Sequence, residues 1–466
     1  MKRSIAQNSE YSYPSHVVQG QGSDLIQLLV AFLIALMFYG FTDWYWETVI
    51  GVFIVSYSVI WYVESLGKSI AIVEVMLVIA SFQWILGPII AYHFGGENAR
   101  YRMYVPEEVY MDYAVPAIIF FFIGIRSIRS RINLNAVSYY VKLGHVRKEH
   151  IFIVLFIGIF IDYSVPFVPH SLYFVIYILS QFKYIALLYF IVTKHPRRWL
   201  ITLGIFSMSV ISSAEEGLFH SLILWSALIF SYICLTVKFS RFNKLILFFV
   251  GLLLLMALQS VKAEYRELTR ESVLSDEAKV TLLMDLLLGT TRNSSVRNNE
   301  ITTQNLNPRL NQGWIISAVM NYVPKTVDFV YGETIIEAIE DSLIPRFLFH
   351  KKSARVSEKF QRFTGIKLNN STSMGISILG EAYVNFGVFG GVIFMFIWGV
   401  VISLIMRYIS VISRSHPTVV LWTPLIFLQM VKAETELVVV LNHGVKTAIA
   451  ITLFYFVSRN IMGWKI

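Results

Sequence analysis

Residues 344–406 read IPRFLFHKKSARVSEKFQRFTGIKLNNSTSMGISILGEAYVNFGVFGGVIFMFIWGVVISLIM. Its final part, 386–406, is an apolar run without a charged residue. At a rise of ~1.5 Å per residue, about 20 such residues cross a ~30 Å hydrocarbon core. The first part has the opposite character: Arg346, Lys351, Lys352, Arg355, Lys359, Arg362 and Lys367 stand against a single acid, Glu358. A cationic segment therefore passes through a glycine-rich stretch directly into a membrane span.

The same contrast runs through the whole chain. It has 466 residues, 56% hydrophobic and 15% charged, and a mean hydropathy of +0.61. A soluble chain would carry about 25% charged residues. The apolar residues fall in blocks long enough for helices to cross a bilayer, and alternating barrel-type segments are missing. Spans are expected near 25–41, 46–63, 69–91, 114–128, 150–168, 170–193, 199–213, 217–237, 243–258, 386–406, 417–432 and 435–457. With both ends inside, the clusters at Lys2/Arg3, 126–148, 194–198, 238–244, 407–414 and 459–465 all fall on one side, as the positive-inside rule requires. The reading is an all-α polytopic membrane protein of about 12 transmembrane helices with one long, partly helical extracytoplasmic loop. It divides into a disordered cytoplasmic tail (1–23), a transmembrane bundle (24–258), the loop region (259–373) and a C-terminal bundle (374–466). The tail shows no signal-peptide cleavage pattern, so the first apolar run is expected to remain as an anchor. The net charge of +9 needs no nucleic acid to explain it, since loop bias and anionic lipid account for much of it. Cys234 stands alone, so no disulfide forms within the chain.

Within 259–373, a charged helix is expected over Lys262–Leu288, and short helices in GWIISAVMNYV and ETIIEAIEDSLI. A segment this long is functional or disordered, and its apolar periodicity argues for folding against the membrane.

Several chemistries lack their motifs. There is no Walker A loop, no Asp-x-Asp pair for a metal-bound sugar nucleotide and no zinc spacing; GISIL near Gly375 has its second glycine misplaced for a nucleophile elbow. No metal and no cofactor is expected.

Four features remain. The basic segment fits either a headgroup-facing amphipathic helix or a phosphate pocket, in which Arg346, Lys351 and Arg355 would be joined by Arg309 from NPRLNQ upstream. Gly380-Glu-Ala-Tyr-Val-Asn-Phe-Gly387 places Glu381 and Asn385 on one helical face, either as a helix-packing glycine motif or as a carboxylate site. VKAETELVVVLNHGVKTAI puts Lys432, Glu436, His443 and Lys446 on one face, as a structural ion pair or a polar cavity. In FTDWYWE, Asp43 and Glu47 sit among Trp44, Tyr45 and Trp46, which read as an interfacial aromatic belt. Glu74, Asp162 and Lys183 are isolated intramembrane charges expected to pack or pair.

Taken with Tyr-x-Met-x-Val-Pro at 101–106 and an Arg in the long loop followed by Ile-Pro-Arg and a Lys pair, the GEAYVNFGxxG pattern resembles the bacterial O-antigen or exopolysaccharide repeat-unit polymerases of the Wzy type, relatives of the GT-C membrane glycosyltransferases. The motifs cover about 60 residues, while the likeness in architecture covers nearly the whole chain. The resemblance implies transfer of a growing glycan from undecaprenyl pyrophosphate to the non-reducing end of a new lipid-linked repeat unit, without metal or nucleotide. It implies pyrophosphate binding by Arg309, Arg346, Lys351 or Arg355. Glu381 or His443 would act as base, with Glu381 ranked first, and Tyr383, Asn385 and Glu436 would contact the glycan. The implied setting is the bacterial inner membrane with the active site on the periplasmic face. The implied partners are lipid-linked oligosaccharides, membrane lipids and a chain-length-regulating membrane protein. Two rivals share parts of this pattern: an O-antigen ligase, with the same topology and cation logic, and a polysaccharide-lipid transporter, which would instead line a pathway with charge through many spans.

Overall fold

A bilayer core offers no water to satisfy backbone groups, so a spanning chain must close its hydrogen bonds within helices. The structure, a computed structural model, describes residues 21–94, 101–128, 137, 146–169, 172–216, 219–271, 276–288, 310–343, 356–368 and 373–464. Among these there is no strand, and the helices are α1 (Gln21–Phe41), α2 (Trp46–Ser65), α3 (Ile72–Phe94), α4 (Glu107–Arg126), α5 (Lys148–Ser164), α6 (Tyr173–Val192), α7 (Arg198–Glu216), α8 (His220–Thr236), α9 (Arg241–Glu271), α10 (Asp276–Leu288), α11 (Gly313–Tyr322), α12 (Glu333–Leu343), α13 (Val356–Thr364), α14 (Ser377–Ile412), α15 (Pro417–Phe427) and α16 (Leu437–Ile461). The protein is an α-helical membrane protein. Among the described residues, seven helices, α2, α3, α4, α6, α9, α14 and α16, are long and apolar enough to cross a membrane, against an expectation of about twelve for the whole chain. The apolar parts of α1, α7, α8 and α15 are shorter.

Three boundaries differ from expectation for local reasons. The helix that carries the apolar run near 243–258 continues without a break through polar residues to Glu271, past the expected start of the loop. The single helix expected over 262–288 is two, α9 and α10, either side of 272–275. α10 folds back on α9 and α7 around a satellite core of Phe219, Leu222, Tyr265, Leu283 and Leu286. α14 begins at Ser377 rather than 386, because GEAYVNF is itself helical.

The bundle is organised around the α4–α14 pair, the most extensive helix contact. Glycines make it possible. A Cβ on Gly124 would lie 2.3 Å from the Phe396 carbonyl oxygen, and one on Gly399 would lie 2.6 Å from that of Phe121. Small residues at a crossing let two backbones approach closely, and in lipid such packing is a main source of association. Tyr113 and Ser403 add hydroxyl bonds across the pair, to Leu379 O at 2.7 Å and Ile128 O at 2.9 Å. Elsewhere Asp162 on α5 and Lys183 on α6, each isolated in the sequence, form an ion pair with one another. Arg241 pairs with Glu64 at 3.0 Å and Lys244 donates to Leu66 O at 2.5 Å, joining the start of α9 to the end of α2.

These approaches predict opposite signs for the same substitution at two helical glycines. Gly124→Ala forces the added methyl into a backbone oxygen and should destabilise by about 1–3 kcal/mol. Gly204 on α7 has nothing within 4 Å of its Cβ position, so Gly204→Ala should be neutral or stabilise by up to ~1 kcal/mol through helix propensity. Thermal unfolding in one detergent compares them, and equal melting temperatures would refute the close crossing.

Candidate functional site

The first part of α14 is a helix buried on every side: each residue from Ile376 to Asn385 is buried. It ends at Gly387, whose φ of 66° and ψ of −160° break the helix before the span proper begins. Such backbone angles are open to glycine and strained for other residues. Asn385, one turn after Glu381, has its polar atoms committed. Its amide oxygen accepts from Gly332 N at 2.8 Å, and its nitrogen donates to Thr334 Oγ1 and Glu381 O, both at 2.7 Å. Asn385 therefore fastens the start of α12 to α14.

Glu381 is 1% exposed. Its Oε2 accepts from the backbone N–H of Leu437, the first residue of α16, at 3.0 Å. Glu436, also 1% exposed, returns the arrangement: its Oε1 accepts from the N–H of Ile376, just before α14, at 2.9 Å. Each helix thus has its N-terminus served by a carboxylate from the other. The helix dipole favours an anion at both places. Lys359 of α13, 2% exposed, supplies positive charge. Its Nζ lies 3.5 Å from Glu381 Oε1 and 3.7 Å from Glu337 Oε2 on α12. These are ion-pair distances rather than good hydrogen bonds. Lys359 Nζ, Glu381 Oε1 and Glu436 Oε2 are buried without a hydrogen-bond partner. Buried polar atoms are normally satisfied, so three such atoms in one centre single it out as the candidate site.

An outer ion pair holds α13 in place. Arg362 grips Glu333 with both terminal nitrogens, at 2.8 and 3.2 Å. The Arg362 hydrogen bond pulls the Glu333 carboxyl below its ordinary range, and the same bond raises Arg362.

The other sequence-derived candidates separate. Arg309, Arg346, Lys351 and Arg355 lie outside the described residues. His443 is buried two turns along α16 from Glu436, about 10 Å by helical rise, with Nε2 2.8 Å from Leu425 O and 3.4 Å from Thr447. It belongs to a different surrounding from Glu381. Lys432 is not on α16 at all: residues 428–436 form turns, so the expected common face of Lys432, Glu436, His443 and Lys446 is broken before the helix starts. Lys446 sits over the Phe174 ring at 4.4 Å. Tyr383 is buried, its hydroxyl 3.5 Å from Val323 O and its ring against Tyr113 and Phe329. In the first turn, Trp44 stacks on His93 at 4.4 Å, while the Glu47 side chain is buried. Lys359 and Glu337 were not singled out from the sequence. Lys359 carried a signal, since it lies beside Phe360 and one turn before Phe363, in the stripe that α13 buries. Among the described residues, no three His, Cys, Asp or Glu side chains are arranged to hold a metal.

Over residues 113–427 the sequence matches the family described as Domain of unknown function (DUF8712), and the chain belongs to that family. Lys359 and Glu381 fall within the matched residues, whereas Glu436 and His443 follow them. No curated protein and no solved structure matches the chain.

Removing one member of a buried pair strands the other. Lys359→Met alone should destabilise by about 3–5 kcal/mol, and Lys359→Met with Glu381→Gln should recover a measurable part of that loss. Strictly additive losses in a thermal-unfolding cycle would show that the two charges do not interact. The exposed Arg362–Glu333 pair should matter less, up to ~1 kcal/mol. Because the Glu333 value is lowered on folding, its contribution is present above the ordinary carboxylate value of 4.5 and lost as pH falls through the lowered one. Glu333→Gln should therefore melt below wild type at pH ~7, and the gap should close as pH falls through the lowered Glu333 value.

Proposed function

We propose that this member of the DUF8712 family polymerises lipid-linked oligosaccharide repeat units, transferring the growing glycan from undecaprenyl pyrophosphate to the non-reducing end of a new unit. The observation that carries the reading is the buried Glu381–Lys359–Glu436 centre, whose Glu381 belongs to the GEAYVNFG pattern and whose Lys359 belongs to the basic segment. In the reaction, the acceptor hydroxyl oxygen bonds to the anomeric carbon. The bond from that carbon to the pyrophosphate oxygen breaks, and the pyrophosphate leaves with the electron pair. The acceptor's proton passes to Glu381 as general base. The sugar–pyrophosphate bond supplies the driving force, so no nucleotide is needed. Arg309, Arg346, Lys351 and Arg355 would balance charge on the leaving group, where preorganised cations act most strongly.

The finer topology belongs to the same proposal: about 12 spans with the shorter apolar helices included, both termini in the cytoplasm, and the centre at the periplasmic face of a bacterial inner membrane. Glu381 is buried and faces Lys359 of α13. An acceptor reaches it only when part of that packing opens. In this reading Lys359 shields the carboxylate until substrate enters, which also keeps water from the donor. A chain-length-regulating membrane protein is the implied partner.

The first test is the lipid-linked glycan profile of cells lacking the protein. Single repeat units should accumulate on the carrier. Accumulation of finished polymer would instead indicate a ligase, and loss of units from the outer face a transporter. The second is Glu381→Gln, which keeps the shape and removes the charge. The variant strands Lys359 and should lose stability, so turnover is compared on folded protein that still binds lipid-linked substrate, where it should fall about 10²–10⁴-fold. Wild-type turnover would remove Glu381 from the mechanism and leave His443 as the candidate base.

A further inference from the structure

α12 does not have the two faces of an ordinary surface helix. At 100° per residue its side chains fall into three sectors. Thr334, Ala338 and Ser342 are buried, with Ile335 partly so. Ile336, Ile339 and Leu343 are 57%, 44% and 65% exposed and share a sector roughly 60° wide. Glu333, Glu337, Glu340 and Asp341 fill the remaining flank. A helix surrounded by water would gain nothing from a clean stripe of exposed branched aliphatics beside a clean stripe of acids. That pattern suits a boundary, with hydrocarbon on one flank and water on the other.

The surroundings identify the hydrocarbon. Tyr331 N donates to Asn385 O and Val330 N to Val384 O, each at 3.1 Å, so the chain entering α12 is fastened to α14 where its span begins. The Gly332 Cβ position lies 4.0 Å from the Phe386 ring. From there the outer surface of α14, a membrane-crossing helix, continues with exposed Val388, Phe389, Ile393 and Ile397. The apolar flank of α12 thus extends a lipid-facing surface that the fold already requires.

We infer that α12 is a membrane-surface helix, its Ile336–Ile339–Leu343 flank sunk into the acyl-chain boundary of the bilayer and its acidic flank in water. The occupant is lipid. The inference does not rest on the proposed enzymatic function. It has a consequence for the buried centre: Glu337, at the aqueous flank, is the residue of α12 that reaches Lys359. The Lys359–Glu381 pair, itself buried, then lies behind α12 near the level of the lipid headgroups.

The test uses the full chain in phospholipid vesicles, with Cys234 replaced by serine and a nitroxide placed in turn at Ile336, Ile339, Leu343, Glu333 and Glu340. The first three should show several-fold higher accessibility to dissolved oxygen than to a water-soluble nickel chelate, and the last two the reverse. Water-soluble quencher reaching all five alike would overturn the proposal. Protection of the three aliphatic positions from both quenchers would also overturn it, since a second copy or residues 344–355 of the same chain would then be the cover. The unaltered protein gives an independent reading. A phenyl diazirine dissolved in the bilayer should label the peptide containing Ile336–Leu343, and absence of label there would count equally against the inference.

Discussion

A carboxylate that is 1% exposed inside an apolar bundle is the constraint on which the rest of this structure turns. An isolated buried charge costs too much to survive, so Glu381 must be surrounded by compensating groups. Each of those groups comes from a different part of the chain. The Leu437 N–H comes from the last span, Lys359 from the basic segment, and Asn385, which donates to Glu381 O, carries the link on to α12. Satisfying one residue therefore brings three remote segments together. This explains why a stretch that looks like an external loop folds on the bundle: much of its placement is the solvation of Glu381.

The helical scaffold makes the centre possible without making it inevitable. The glycine crossing of α4 and α14 sets the position of α14, and the Tyr113 bond to Leu379 O fixes the level of the buried turn that carries Glu381. The break at Gly387 lets that turn depart from the direction of the span. A continuous helix would put Glu381 on the same face as lipid-exposed Val388, two turns further on. The buried turn instead lies against α11 and α13, where a polar group can be compensated.

The fold class was legible because hydrophobic runs and loop charges are properties of local sequence, and so were the two short helices at 313–322 and 333–343. Lengths were less legible. The start of α14 was less legible: a helical face joining Glu381 and Asn385 is readable from their i, i+4 spacing, but not that this turn is joined to the span across the break at Gly387. Glu381 itself stood out as a lone acid among glycines. Its partner Lys359 did not, because one lysine in a segment with seven basic residues carries no mark of its own unless α13 is drawn as a helix. The common face assigned to Lys432, Glu436, His443 and Lys446 failed because no local signal separates the turns at 428–436 from the apolar helices on either side. Glu436 at a helix N-terminus is stable for a reason that periodicity does not register.

The electrostatics of the centre also limit how it can be used. Helix N-termini are ready anion sites, and those of α14 and α16 meet here. Both are already occupied, each by a carboxylate from the opposite helix. A phosphate group approaching the centre would find its natural seats filled by the protein's own anions and would be repelled by them. One ammonium, Lys359, already faces Glu381 and Glu337, and it cannot also neutralise a pyrophosphate while it stays there. If a lipid pyrophosphate is the leaving group, its countercharge must therefore come from outside the centre. The basic residues at 346–355 directly precede α13 in the chain. In the proposed reaction they would supply that countercharge while Lys359 stays paired with Glu381.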